Sequence, residues 1–83
     1  MRAEVIYDPF LTIDNKQTIS KITIDISDRH QLVLSYLDSA KANNKLCEIK
    51  MIDKLGLCEI SETIDKENFR ELIQLVTSMY RQL

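Results

Sequence analysis

The sequence has few of the residues that interrupt or cross-link a chain. Its 83 residues include one glycine, one proline, two cysteines and no tryptophan. Loops that hold nucleotide phosphates need several glycines at fixed spacing, so the sequence excludes the Walker and dinucleotide-binding motifs. Secreted domains of this size usually carry several disulfides. Two cysteines therefore favour a reducing, cytoplasmic location.

An excess of one charge is also lacking. The chain has 11 Lys and Arg against 13 Asp and Glu, a formal net charge of -2, and neither sign forms a run. Proteins that bind nucleic acid or membrane surfaces typically carry a basic stripe. No 18 apolar residues run together, and residues 1–7 lack the apolar segment of a signal peptide. We therefore expect a small, soluble, cytoplasmic protein.

The composition is that of a folded domain. Hydrophobic residues make up 45% of the chain and charged residues 29%, which argues against disorder. A chain of this length has room for one hydrophobic core. We therefore treat residues 1–83 as a single domain.

Alternating apolar and polar residues predict two strands in the first third of the chain. The first covers residues 2–7 and is interrupted at Pro9, which lacks an amide donor. This strand should end there or lie at a sheet edge, with residues 10–13 continuing it after a bulge. Asp14, Asn15 and Lys16 form the turn that follows, and residues 18–26 form the second strand, with isoleucines on one face.

A helix is predicted after Ser27 and Asp28, whose side chains can accept hydrogen bonds from a first helical turn. At about 100° per residue, Leu32, Tyr36 and their apolar neighbours share one arc, and the Asn43-Asn44 pair suits the helix end. A strand over residues 30–37 is the competing interpretation.

A hairpin is predicted where Leu-Cys-Glu-Ile occurs twice, at residues 46–49 and 57–60. Asp53 and Gly56 fit the first and fourth positions of a type I turn. With that turn, Lys50 faces Glu59 and Ile49 faces Ile60. Cys47 and Cys58 are not opposite each other in this register. We therefore expect no disulfide, and both thiols buried on the inner face of the hairpin.

The strongest helix signal is at the C-terminus. Asp65 can cap it, and Ile64 and Phe69 have the spacing of a hydrophobic staple. The two halves of the chain are faintly similar at a displacement of 36 residues, which suggests two strand-strand-helix units. The predicted fold is α+β: a four-stranded, mostly antiparallel sheet with two helices on one face, in the order ββαββα.

No combination of residues indicates chemistry. His30 is the one histidine, and it has only Asp28 beside it, so we interpret it as an exposed polar residue. The cysteines and His30 lack the spacing of a zinc site. We therefore predict no catalytic residue, no metal and no cofactor, and a protein that is not an enzyme.

The apolar arc of the last helix is wider than one sheet contact requires. Either the first helix lies beside it, or an exposed strip captures a partner or a second copy of the chain. Candidate partner-binding residues are Leu75 and Met79 on the last helix and Leu34 at the margin of the first.

Two functions remain open. The leading hypothesis, reached by elimination, is a small protein-binding module such as an inhibitor, adaptor or accessory subunit. Abundant Ile, Lys, Asn and Asp would suit a bacterial, plasmid or phage genome. The alternative is a nucleic-acid-binding regulator that uses mid-chain lysines, namely Lys41, Lys45, Lys50 and Lys54.

Overall fold

The computed structural model describes residues 1–13, 15–39 and 44–83. These form one five-stranded antiparallel sheet, in which each strand pairs with the next along the chain, and one C-terminal helix. The predicted four-stranded sheet with two helices in the order ββαββα is therefore wrong, although the chain is α+β. The elements are β1 (Arg2–Ile13), β2 (Lys16–Asp25), β3 (His30–Ser39), β4 (Asn44–Asp53), β5 (Cys58–Asp65) and α1 (Lys66–Gln82).

The first two strands form as predicted, and β1 is longer than its regular alternation suggested. It is an edge strand, where Pro9 removes no ladder hydrogen bond that another strand needs. Its pairing with β2 shifts register between Ile6 and Tyr7 and again between Asp8 and Thr12. Strand β1 thus continues past Pro9 through irregular pairing. This confirms the prediction that residues 10–13 extend the strand after a bulge. Asp14, which we placed in the following turn, lies outside the described residues.

The predicted first helix is wrong, and residues 30–37 belong to strand β3. The Ser27 hydroxyl oxygen does accept hydrogen bonds from the amides of Arg29 and His30, both at 3.2 Å. However, the Ile26 amide donates to the His30 carbonyl at 3.1 Å, which closes a turn between β2 and β3. The same capping chemistry therefore stabilises a hairpin. Asn43, at the predicted helix end, lies outside the described residues.

The turn of the second hairpin is as predicted, but its register is not. The Gly56 amide donates to the Asp53 carbonyl at 3.0 Å, and Gly56 has φ +87°. A glycine in this left-handed conformation inserts one extra residue, so Asp53 bonds to Leu57 (2.9 Å). A second irregularity follows between Met51 and Ile52. Lys50 therefore faces Ser61 and not the predicted Glu59, and Ile49 faces Glu62 and not Ile60.

Helix α1 begins and ends close to its predicted bounds. Asp65 has extended backbone angles, and its side chain accepts a hydrogen bond from the Asn68 amide at 2.8 Å. This is the predicted N-cap. Ile64 and Phe69 line a common cavity, as expected of a hydrophobic staple. No helix of the described chain is long and apolar enough to cross a membrane.

A candidate protein-binding surface

One face of the sheet is apolar across all five strands. Side chains of opposite residues in neighbouring antiparallel strands point to the same face. The register thus joins Val5 to Ile22, Ile22 to Leu34, and Leu34 to Ile49 in one row across four strands. We call this side the apolar face; its other apolar members are Ala3, Ile24, Leu32, Tyr36, Cys47, Met51, Ile60 and Ile64.

The opposite side, which we call the polar face, carries one ionic and one amide interaction. The Lys50 ammonium lies 3.3 Å from the Glu48 carboxylate. The Gln31 amide donates to Asp25 Oδ1 at 2.8 Å. Such a face is typical of a sheet side that meets water, and it leaves the apolar face as the side that must be covered.

The burial of side chains does not follow the division of the sheet into an apolar and a polar face. Val33 is the one buried residue in the described part of the chain, at 6% exposure, and it lies on the polar face. Its position on the central strand, between Thr23 and Lys50, gives it neighbours on both sides. On the apolar face, Val5 is 42% and Ile60 is 54% exposed. Within residues 1–13, 15–39 and 44–83, no side chain of the apolar face is buried.

Helix α1 covers only one corner of the apolar face. It packs against β4 and β5 and has no buried residue. Near its start, Phe69 lines a cavity of about 240 Å³ together with Tyr36, Cys47 and Ile64. The apolar side chains that follow form a stripe at helical spacing. This exposed α1 stripe consists of Leu72, Ile73, Val76, Met79 and Tyr80.

Of the predicted partner-binding residues, Met79 belongs to the α1 stripe and Leu34 to the apolar face, whereas Leu75 lies on α1 outside the defined stripe. Leu75 and Met79 are 69% and 56% exposed on α1. Leu34 lies on strand β3, not on a helix, and lines a cavity with Ile22 and Phe69 on the apolar face. The explanation that a first helix lies beside the last one is wrong, because that segment is β3. We missed the rest of the apolar face, although the alternation of Leu32, Leu34 and Tyr36 could have revealed it.

The lysines of the alternative function do not converge. Lys45 lies at the start of β4 and Lys54 just beyond its end, which separates them by about 30 Å at 3.3 Å per residue. Lys50, between them, already has Glu48 as a neighbour. Lys41 lies outside the described residues. Nucleic-acid binding stays a prediction, with its described lysines spread along one strand.

The carboxylate partner of His30 is Glu59 and not the neighbouring Asp28. Its Nε2 lies 3.1 Å from Glu59 Oε2, so the pair joins the start of β3 to β5. The His30 side chain is 33% exposed and the Glu59 side chain is 50% exposed. In the described residues, no third metal-ligating side chain joins them.

The two cysteines are free, as predicted. Cys47 is half-buried on the apolar face, and burial raises the pKa of its thiol. A hydrogen bond from the Ser35 backbone opposes this rise, and the Glu48 carboxylate adds to it. Cys58 is exposed and lies opposite Ile52, on the other face. The predicted burial of Cys58 is therefore wrong, because the shifted register turns it away from Cys47.

Comparison with known proteins adds no relative to this picture. No family model, curated protein sequence or solved structure matches the chain.

Proposed function

We propose that this chain is a small cytoplasmic protein-binding module, an inhibitor, adaptor or accessory subunit without catalysis of its own. Its binding surface consists of the apolar face and the exposed α1 stripe. The observation that supports the proposal is the exposure of apolar side chains on adjoining elements, from Val5 on β1 to Val76 on α1. Contiguous apolar surfaces of this kind mark sites of association.

Exposure of this apolar surface to water is energetically unfavourable. Burial of apolar area is favourable by about 25 cal/mol per Å². A partner that covers the open side chains of the apolar face gains this free energy. Glu62, which faces Ile49, adds a charged group to the apolar face, and the His30–Glu59 pair lies at one end of it. The preferred partner therefore presents an apolar surface of its own, with polar groups at its margin.

A site-specific photo-crosslink tests this proposal. A photoreactive amino acid is placed at Ile24 on the apolar face and, as a matched control, at Thr23 on the polar face. These residues are neighbours in β2 and both are half-buried in the chain. We expect irradiation in the native host to yield protein adducts from position 24 and few from position 23. Equal yields at both positions, or no protein adduct from position 24, would contradict the proposal.

Salt dependence separates this function from nucleic-acid binding. Apolar association changes little between low and moderate salt, whereas phosphate contacts by lysines weaken steeply because counterions are released. The test compares the yield of adducts from position 24 in the wild type and in the Lys45→Gln, Lys54→Gln double variant. This variant lacks two described lysines, one at the start of β4 and one just beyond its end. We expect unchanged adducts from position 24 in this variant.

A further inference from the structure

The single chain has a larger accessible surface than a folded monomer of its mass is expected to have. The chain exposes 7101 Å². A folded monomer of 9.7 kDa exposes about 5,100 Å² by the usual scaling of surface with mass. The excess is roughly 2,000 Å² per chain on this scaling. This excess agrees with the exposed apolar face and with the exposed stripe of α1.

An excess of this size is comparable to the area that an obligate homodimer buries. Such interfaces bury about 2,000 to 5,000 Å² in total, or at least about 1,000 Å² from each subunit. They are also more apolar than transient interfaces and resemble a domain core cut in half. The apolar face, with Ile22, Leu34 and Ile49 in its central rows, has this character.

The surface also has two parts that suit each other. The α1 stripe is a convex ridge of apolar side chains, whereas most of the apolar face is an uncovered floor, since α1 packs only against β4 and β5. In a twofold dimer the same patch is used on both subunits, so each ridge can rest on the other floor. One symmetric contact would then cover both parts on both chains.

A second copy also suits a chain in which so little of the described surface is buried. With Val33 as the one buried side chain of the described residues, a single chain has little core to hold it folded. Obligate homodimers often have no stable folded monomer. An identical chain is made at the same place and in the same amount, so a partner for the apolar face is always available.

We infer that a second copy of this chain covers the apolar face, with the α1 stripe of each subunit on the sheet of the other. This inference rests on the proposed function and names the partner of the same surface. A different protein would then reach that surface only in exchange for one subunit.

Light scattering coupled to size-exclusion chromatography tests the inference on the full chain. We expect the purified protein to have a mass of twice 9.7 kDa, and its melting temperature to rise with protein concentration. Val76→Lys places a charge in the α1 stripe, where Val76 is 61% exposed in the single chain and thus free of its packing. This variant should raise the dissociation constant at least about tenfold.

Gln74→Lys is the matched control, since it places the same charge on the polar side of α1 and should leave the dissociation constant unchanged. Ile24→Glu and Thr23→Glu repeat the comparison on the two faces of β2. A wild-type chain that is folded and strictly monomeric would overturn the inference, as would a dimer that Val76→Lys and Ile24→Glu both leave intact.

The photo-crosslinks distinguish failure of the dimer inference from failure of the proposed protein-binding function. Adducts between two copies from position 24, with few from position 23, support both the inference and the proposed function. Adducts from position 24 to a different protein, on a monomeric chain, overturn the inference and leave the proposed function standing. A monomer without protein adducts from position 24 overturns both.

Discussion

Val33 and Leu34 are consecutive in β3, yet the one that points to the polar face is the more deeply buried. Val33 is 6% exposed, whereas Leu34, on the apolar face, is half-buried. A sheet with one apolar and one polar face normally has its best-buried residues on the apolar side. We expect such a reversal if, as we propose, a second copy of the chain supplies the layer on the apolar face.

Substitution of Gly56 should expose the cost of the β4–β5 turn. Gly56 has φ +87°, and an added Cβ would meet no atom within 4 Å. The effect of Gly56→Ala is therefore confined to backbone strain, and we expect the free energy of unfolding to fall by about 1–2 kcal/mol. Urea denaturation followed by circular dichroism measures it. Gly56→Asn, which tolerates the left-handed region better, should lose less; equal stability of Gly56→Ala and wild type would contradict the assignment of this turn.

Removal of the helix cap should weaken α1. Asp65 accepts a hydrogen bond from the Asn68 amide at 2.8 Å. Asp65→Ala leaves that amide without its partner, so we expect a loss of about 1 kcal/mol in the free energy of unfolding. Asp65→Asn keeps an acceptor oxygen and serves as the control. If the two variants unfold at the same denaturant concentration as the wild type, the cap contributes nothing.

Local signals explain why part of the fold could be predicted. Strand β2, the turn at Asp53 and Gly56, and helix α1 each depend on residues close in sequence: alternation, turn chemistry and a cap. The register of β4 and β5 could not be predicted, because the bulge at Gly56 and the second one beside Met51 each shift the pairing by one residue. The bulge at Gly56 was enough by itself to pair Cys58 with Ile52 and so to place it on the opposite face from Cys47.

Strand β3 shows the limit of reasoning from periodicity. In a central strand both faces are crowded, so Val33 and Leu37 on the polar face interrupt the alternation of Leu32, Leu34 and Tyr36. The resulting run fits a helical arc as well as a strand. Ser27 adds a capping signal that a tight turn uses equally well. The candidate site was missed for the same reason, since the apolar face exists only when β3 is a strand.

The two thiols should differ in reactivity. Burial raises the pKa of the Cys47 thiol above its ordinary value of 9.0, so less thiolate forms at mildly alkaline pH. Cys58 is exposed and should react first with a thiol reagent, whereas Cys47 should react at a comparable rate only after unfolding. Single Cys47→Ala and Cys58→Ala variants assign the two phases. Fast labelling of Cys47 in the folded protein would contradict its burial.

The same shift gives a pH dependence of stability. Because the folded-state pKa is raised, the neutral thiol is favoured in the folded chain. Its contribution is fully present below pH 9.0, the ordinary pKa, and is lost as the pH rises from there through the folded-state pKa. Cys47→Ala should remove this part of the alkaline loss of stability, as measured by urea denaturation at a series of pH values. An identical alkaline loss in Cys47→Ala would assign it to other groups.

Truncation of the two neighbours in β3 separates a covered from an uncovered apolar face. Val33→Ala removes two methyl groups from a buried site and should lower the free energy of unfolding by about 2 kcal/mol. In a lone chain, Leu34→Ala would cost only about 1 kcal/mol, since the side chain is already half in water. If a second copy covers the apolar face, Leu34 is a core residue and its truncation should cost about 2–5 kcal/mol. Urea denaturation of both variants at one protein concentration compares them directly. We expect the Leu34 variant to lose at least as much stability as the Val33 variant, and a clearly smaller loss would place Leu34 in contact with water.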